Sequence, residues 1–155
     1  MDSYDHDSLY NTFYQVIRFH YHRTHMLLDE IGIYPGQPPM LLALSKENGQ
    51  SQKELAKKLN IKPATITVML KRMEKAKLVE RRQDSLDQRI SRVYITEQGE
   101  EAWKDVHEVM RTIDKECFSN FTQEEQMLLR RLLMQVRDNL MDSCDIKLNV
   151  NNTKI

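Results

Sequence analysis

The sequence has few of the residues that mark several protein classes. Its 155 residues include only four glycines and four prolines, so an all-β fold with many tight turns is not expected. Two cysteines are too few for a disulfide framework, and they favour a reducing compartment such as the cytoplasm. No apolar stretch approaches the roughly 18 residues of a membrane span, and the acidic beginning is unlike a signal peptide. We therefore expect a cytoplasmic protein without a membrane partner.

Motifs of common enzyme sites are also missing. The sequence has no glycine-rich phosphate loop, no nucleophile elbow and no His-Glu-x-x-His pair. The adjacent carboxylates at 100–101 and 124–125 fall in the first turns of predicted helices, where negative charge favours the helix dipole. We predict that the protein is not an enzyme, has no catalytic residues and needs no cofactor.

The net charge is zero, with 23 basic and 23 acidic residues, but the two signs are unevenly distributed. Between Lys46 and Arg92 there are 13 basic and six acidic residues, a net charge of +7, and the rest of the chain carries −7. A split of this size indicates a basic surface on an otherwise acidic protein. It favours a nucleic-acid partner, which the total charge alone argues against.

Helical periodicity dominates both ends of the chain. Apolar residues at a three-four spacing predict a long helix over residues 9–31. A second helix is expected to begin at the prolines that follow it and to stop near Gly49, a residue suited to a left-handed cap. Two further helices are predicted after Thr96 and after Thr122, the second opened by a capping box. Residues 143–155 are polar and are predicted to be a flexible tail.

Two short helices and a hairpin are predicted between these long helices. Ser51 and Glu54 form a capping box for the first short helix, and a proline in the first turn predicts the second, over 63–75. Strands are predicted at 78–83 and 90–95, joined by a charged turn. Two short helices followed by a two-stranded wing describe a winged helix-turn-helix in a mainly α (α+β) protein.

The predicted helix over 63–75 has an apolar side chain on its outward face. Its other bulky apolar residues share the opposite face and are expected to pack inward: Ile66, Met69, Leu70 and Met73. In a major groove Val68 and Ala64 would meet thymine methyl groups, the threonine hydroxyls would reach bases or phosphates, and the basic residues would neutralise phosphates. The predicted DNA-binding residues of this region are Ser51, Gln52, Lys62, Pro63, Ala64, Thr65, Thr67, Val68, Lys71, Arg72 and Lys75.

The predicted wing supplies further cations. Arg81 and Arg82 lie on its first strand, Arg92 on its second, and Arg89 at the tip beside Asp87. An arginine at a wing tip is placed to enter the adjacent minor groove. We expect Asp87 to hold Arg89 by an ion pair, which would reduce the entropy lost on binding. The predicted DNA-binding set is completed by four residues of the wing: Arg81, Arg82, Asp87 and Arg89. An ordinary solvated charged face is the alternative, but the outward Val68 favours DNA.

These motifs together resemble the MarR family of bacterial transcription regulators. The matching segments are Ser-Gln-Lys-Glu-Leu-Ala at 51–56, Pro-Ala-Thr-Ile-Thr at 63–67, Leu-Lys-Arg-Met-Glu at 70–74, Leu-Val at 78–79, Arg-Arg at 81–82, Asp-x-Arg at 87–89 and Ile-Thr-Glu-x-Gly at 95–99. The resemblance implies a domain over 5–142, with its helix-turn-helix at 51–76, its wing at 78–96 and dimerisation helices at 5–31 and 97–142.

The resemblance also implies a function. Members of this family are homodimers that bind pseudo-palindromic operators, and their half-sites would lie about one helical turn apart. Most repress transcription and are released by a small, often anionic aromatic ligand or by oxidation. We therefore expect a cytoplasmic bacterial repressor with three partners: operator DNA, a second copy of itself and a small-molecule effector. Candidate ligand-binding residues in the first two helices are Arg18, His22, His25 and Met40.

Two alternatives stay open. One is a winged-helix module that docks an acidic protein instead of DNA, and the other is a metal-sensing regulator of the same fold. Four histidines motivate the second: His20, His22, His25 and His107. They form no tight cluster such as His-x-x-x-His, so no metal site is predicted. Cys117 lies on an apolar stripe and is predicted to be buried; relatives that sense oxidation carry a reactive cysteine in the first helix, and this sequence has none there.

Overall fold

A computed structural model describes residues 8–144, so residues 5–7 of the predicted domain and 145–155 of the predicted tail lie outside the described part. The helices are α1 (Leu9–Glu30), α2 (Gln37–Lys46), α3 (Gln52–Leu59), α4 (Pro63–Lys75), α5 (Glu97–Phe118) and α6 (Gln123–Cys144). The strands are β1 (Gln50–Ser51), β2 (Val79–Gln83) and β3 (Ser91–Ile95). The mainly helical winged helix-turn-helix fold is confirmed. The chain divides into two compact units, one ending at Met110 and the other beginning at Arg111.

The sheet is antiparallel and has the strand order β1-β3-β2. The predicted hairpin is present, with Val79 opposite Ile95 at its base, and β1 adds a short third strand. This strand forms because Gly49 adopts a left-handed conformation, with φ of 75°, and donates a hydrogen bond of 3.0 Å to the carbonyl of Val93. The prediction that α2 stops near Gly49 holds, but the prediction that Gly49 caps it is wrong, because the cap residue is Glu47. The helix ends at Lys46, and Gly49 turns the chain into β1.

The core of the first unit is built around the helix-turn-helix. Helices α2, α3 and α4 supply most of its side chains, and β3, α5 and α1 add one each to the fully buried set. Burying one such side chain contributes about 1.5–3 kcal/mol to the free energy of folding. The fully buried residues are Leu28, Met40, Leu41, Leu44, Leu55, Ile66, Leu70, Met73, Val93 and Val106.

Two predicted capping boxes are confirmed. At the start of α3 the Ser51 hydroxyl accepts a hydrogen bond from the Glu54 amide at 3.2 Å, and the Glu54 carboxylate accepts one from the Ser51 amide at 2.7 Å. At the start of α6 Thr122 and Glu125 make the same pair of bonds, at 3.2 and 2.8 Å. Each box satisfies amides that have no partner within the helix, so both helices begin where the sequence predicts.

The start of α5 is fixed against the base of the hairpin. The Thr96 hydroxyl accepts a hydrogen bond from the Gly99 amide at 3.0 Å and donates one to the Lys77 carbonyl at 2.5 Å. A Cβ atom at Gly99 would lie 2.0 Å from the carbonyl oxygen of Leu78. Only glycine fits there, and the Thr-x-x-Gly segment therefore sets where the hairpin ends and α5 begins.

The apolar residues of the second unit remain largely uncovered within one chain. Seven large apolar side chains of α6 have between 37% and 67% of their surface exposed: Met127, Leu128, Leu132, Leu133, Met134, Val136 and Leu140. Cys117, near the end of α5, is also exposed, so the prediction that it is buried in an apolar stripe is wrong for the single chain. Among residues 8–144, no helix combines the length and apolar composition needed to cross a membrane.

Candidate nucleic-acid interface

Helix α4 has the two faces that the sequence predicts. Ile66, Leu70 and Met73 are fully buried, and Met69 is partly buried against the same core. Val68 points outward with 51% of its surface exposed. The residue that caps the helix, Lys62, is also exposed. The other exposed residues near Val68 are Pro63, Ala64, Thr65, Lys71, Arg72 and Lys75. The helix therefore presents a continuous surface of one valine, small side chains and cations.

Gln52 and Thr67 are bonded to each other, which changes their predicted roles. The Gln52 side-chain amide donates a hydrogen bond to the Thr67 hydroxyl at 2.6 Å, and this hydroxyl donates one to the Pro63 carbonyl at 2.9 Å. The hydroxyl hydrogen is therefore already used within α4. Ser51 is likewise engaged in its capping box. The prediction that the Thr67 hydroxyl reaches DNA is not supported by this arrangement, which instead joins the start of α3 to α4.

The tip of the wing holds Arg89 through Asp87, as predicted. The guanidinium donates two hydrogen bonds to the carboxylate, at 3.0 Å from Nε and 3.1 Å from Nη2, and the Arg89 amide adds a third at 3.0 Å. These side-chain bonds lower the pKa of Asp87 and raise that of Arg89. The Arg89 side chain is nevertheless 90% exposed. A charged, oriented guanidinium therefore stands at the tip.

The two arginines on β2 are paired with acidic neighbours. Arg81 donates a hydrogen bond of 2.5 Å to Glu74 in the last turn of α4, and both side chains are only 29% exposed. This hydrogen bond raises the pKa of Arg81. Arg82 pairs with Glu80, and its guanidinium lies 4.8 Å from the ring centre of Tyr94. Arg81 therefore joins the wing to α4, whereas the sequence predicted a DNA contact at this position.

The role of Asp84 was not predicted from the sequence. Its Oδ1 atom accepts hydrogen bonds from the amides of Leu86 at 2.8 Å and Asp87 at 3.0 Å, and its Oδ2 atom pairs with Arg92. The bond from Arg92, followed by those two amides, lowers the pKa of Asp84 to about 2. An aspartate that begins a four-residue polar turn commonly bonds to amides two and three residues ahead. That signal was present in Asp-Ser-Leu-Asp at 84–87.

The candidate ligand-binding residues are divided between the core and α1. Met40 is fully buried in the core, so it offers no surface to a ligand in this structure. Arg18 and His22 are exposed on α1, and His25 is half-buried with its ring 4.0 Å from that of Tyr21. Among residues 8–143, no group of three or more His, Cys, Asp or Glu side chains is placed to hold a metal ion.

Comparisons with known proteins agree with this architecture. The MarR family model matches residues 33–91. YdgJ, an HTH-type transcriptional regulator of Bacillus subtilis, is 34% identical over 109 residues, covering 70% of this chain and 66% of YdgJ, just under two thirds of its length. A MarR-like transcription regulator from Bacillus cereus is 28% identical, with a TM-score of 0.69 over 83% of this chain and 96% of that chain.

A mutant of MepR from S. aureus, solved bound to an oligodeoxyribonucleotide, has a TM-score of 0.63 at 20% identity, covering 86% of this chain and 98% of that chain. At this identity the likeness concerns the fold alone. The family match, the YdgJ alignment and the shared fold agree with the motifs of the helix-turn-helix and wing. The chain belongs to the MarR family of winged helix-turn-helix transcription regulators.

Proposed function

We propose that this chain is a homodimeric, sequence-specific DNA-binding protein that represses transcription and is released from a pseudo-palindromic operator by a small molecule. The outward face of α4 carries the proposal. Val68 is 51% exposed on a helix whose neighbouring apolar residues are buried, and Lys71, Arg72 and Lys75 follow it. An apolar side chain ringed by cations suits a major groove, where thymine methyl groups and phosphates lie close together.

The exposed residues of this surface other than Pro63 have proposed roles. Ala64, Thr65 and Val68 face the bases, because the first turns of a recognition helix enter deepest into the groove. Lys62, Lys71, Arg72 and Lys75 neutralise phosphates. Arg89 enters the adjacent minor groove, where a guanidinium tolerates close confinement. Gln52, Thr67 and Arg81 hold the helices and the wing in place, which is the role that their hydrogen bonds support.

The dimer is proposed from the uncovered apolar residues of the outer helices. On α1 several large apolar side chains are at least half exposed, including Tyr14, Val16 and Phe19, and on α6 Leu128 and Leu140 are too. A monomer rarely leaves so many large apolar residues in water, and a second copy of the chain would cover them. The dimer would place two α4 helices in successive major grooves, about one helical turn apart.

The effector is proposed to bind beside α1. His25 and the preceding Thr24 each have a buried polar atom, Nε2 and Oγ1, without a hydrogen-bond partner among the described residues. An unsatisfied buried polar group is costly, and a polar ligand would relieve that cost. Arg18 and His22 on the same helix would attract an anionic ligand. A screen of anionic aromatic compounds for release of bound DNA tests this part, with His25→Ala expected to abolish the release.

The wing provides the direct test of DNA binding. A preferred sequence is selected from a random duplex library, and binding to it is measured by fluorescence anisotropy for the wild type and Arg89→Ala. We expect the variant to lose about 1–3 kcal/mol of binding free energy. Lys104→Ala removes a cation that is also ion-paired and exposed but lies on α5, and it should bind like the wild type.

Two results would contradict the proposal. If no sequence is enriched and the protein does not bind bulk duplex DNA at low salt, the basic surface docks another partner, such as an acidic protein. If Arg89→Ala binds as tightly as the wild type, the wing is not in the groove. Binding should also weaken steeply with added salt, because phosphate contacts release counterions.

A further inference from the structure

Arg92 connects three parts of the DNA-binding lobe, the region formed by α2, α3, α4 and the three-stranded sheet. From the middle strand of the sheet its Nε atom pairs with Asp84 in the wing loop, and its Nη1 atom donates a hydrogen bond of 3.0 Å to the carbonyl of Gly49, before β1. Nη1 also lies 4.0 Å from the carboxylate of Glu54 in the first turn of α3. One guanidinium thus joins the wing to the turn before the helix-turn-helix and to its first helix.

Asp84 extends this connection into the wing tip. Its side chain is only 11% exposed, and both of its oxygens are used. One oxygen pairs with Arg92, and the other accepts hydrogen bonds from the amides of Leu86 and Asp87. The backbone of Asp87 is held by the second of these bonds, and its carboxylate accepts hydrogen bonds from Arg89. A continuous series of polar contacts therefore runs from the body of the lobe to the exposed guanidinium at the tip.

Arg92 itself is poorly placed to bind DNA. Its side chain is 34% exposed, against 90% for Arg89. Two carboxylates, those of Asp84 and Glu54, lie beside its guanidinium, and they offset its attraction for a phosphate. Its guanidinium donates one hydrogen bond to the carboxylate of Asp84 and another to the carbonyl of Gly49. Two bonds in different fixed directions suit the planar fork of an arginine.

We propose that Arg92 and Asp84 are positioning residues for operator binding, which hold the wing tip so that Arg89 is presented to the minor groove. The proposal rests on the DNA-binding function proposed above. Without this pair the loop samples more conformations, so Arg89 is in its binding geometry for a smaller fraction of the time. Apparent affinity falls by that fraction, and ordering the loop on binding costs entropy.

A double-mutant cycle with Arg89→Ala tests the proposal. Arg92→Gln and Asp84→Asn are each made in the wild type and in Arg89→Ala, and binding to the selected duplex is measured. We expect each substitution to weaken binding about tenfold alone and less than about twofold in Arg89→Ala, because positioning matters only while Arg89 is there to be positioned. Lys104→Gln serves as the control for loss of an exposed ion pair.

Salt dependence and a conservative variant separate positioning from direct contact. Removing a phosphate contact lowers the slope of log affinity against log salt by about one, whereas removing a positioning residue leaves the slope unchanged. Arg92→Lys keeps the positive charge but cannot reproduce the forked hydrogen bonds, so it should weaken binding about as much as Arg92→Gln. A lysine that restores wild-type affinity, or a slope lowered in Arg92→Gln, would make Arg92 a phosphate contact and overturn the proposal.

Further results distinguish this inference from the function on which it rests. If Arg89→Ala weakens binding but Arg92→Gln and Asp84→Asn do not, DNA binding by the wing stands and the positioning role is wrong. Equal losses with and without Arg89 would also overturn it, since they would reflect general damage to the lobe. Thermal unfolding of each variant identifies such damage. If Arg92→Gln does not fold, the operator affinity of Asp84→Asn, which keeps the size of the side chain, tests the proposal.

Discussion

Helices α4 and α6 have similar apolar periodicity but different surroundings. In α4 the residues Ile66 and Leu70, four positions apart, are fully buried. In α6 Leu128 and Leu132 have the same spacing, yet they are 51% and 43% exposed. The apolar face of α4 is thus covered within its own chain, and that of α6 is not.

This difference separates two kinds of amphipathic helix that look the same in a sequence. The face of α4 contributes to the core of a lobe whose packing is complete in one chain. The face of α6 contributes only when another surface covers it, and we propose that a second copy does so. Substitutions on the two helices should therefore change different properties: α4 the stability of the fold, and α6 the assembly of the protein.

The largest effect is expected from a charge on the α6 face. Leu132→Asp would place a carboxylate in the proposed dimer interface, at a cost of several kcal/mol. We expect a monomer by light scattering at concentrations where the wild type is a dimer, with loss of tight operator binding. Gln123→Asp, which adds the same charge at an exposed polar position on the opposite side of α6 from Leu132, should leave the dimer intact. A dimeric Leu132→Asp protein would show that this face is not the interface.

The next effect tests the α4 side of the comparison. Leu70→Ala removes a fully buried side chain and should lower the free energy of unfolding by about 2–5 kcal/mol, measured by urea denaturation. Light scattering of the folded protein should still give a dimer. Val68→Ala, at an exposed position of the same helix, should change stability by less than about 0.5 kcal/mol. Equal destabilisation by both variants would mean that Val68 is packed and not presented to DNA.

A smaller effect concerns what Val68 does on DNA. Val68→Ala should weaken operator binding by about 1 kcal/mol, the scale of one or two apolar groups removed from water. If the valine meets a thymine methyl group, replacing that thymine by uracil should weaken wild-type binding and leave the variant unaffected. Anisotropy titrations with singly substituted duplexes identify the base. Insensitivity of the wild type to every such replacement would rule out the thymine contact.

The smallest effect tests how the wing is held. The pKa of Asp84 is lowered to about 2 from an ordinary 3.8, so its charge stabilises the fold above the ordinary value, and this contribution is lost as pH falls toward the lower one. Asp84→Asn should be less stable than the wild type near neutral pH, with the difference shrinking between about pH 4 and pH 2. Urea midpoints across this range measure it, with Asp138→Asn as the control. A difference independent of pH would contradict the ion pair.

Local signals in the sequence predicted much of the fold. The capping boxes, the proline at the start of α4 and the helical periodicity depend on residues a few positions apart. They located the helix-turn-helix, the hairpin and the outward Val68 correctly. The pairing of Asp87 with Arg89 was also predictable, because only two residues separate them.

The features that were missed depend on residues far apart in the chain. Strand β1 forms only because residue 50 meets residue 93, and Arg92 reaches the carbonyl of Gly49 across 43 positions. The ion pair of Arg81 with Glu74 and the burial of Met40 in the core likewise depend on tertiary packing. The charge and hydrophobicity of a residue can be read from the sequence, but the residue that it pairs with or packs against depends on the fold.

Strand β1 ends at Ser51 and α3 begins at Gln52, so the sheet and the helix-turn-helix meet without a spacer. One inserted residue would shift the pairing of Gln50 with Val93 and turn its side chain to the other side of the sheet. The joint therefore has little tolerance for changes in length. The wing tip is also constrained, because an insertion there would break the hydrogen bonds from the amides of Leu86 and Asp87 to Asp84. Evolution can therefore alter the joint by exchanging one residue for another more readily than by inserting or deleting one.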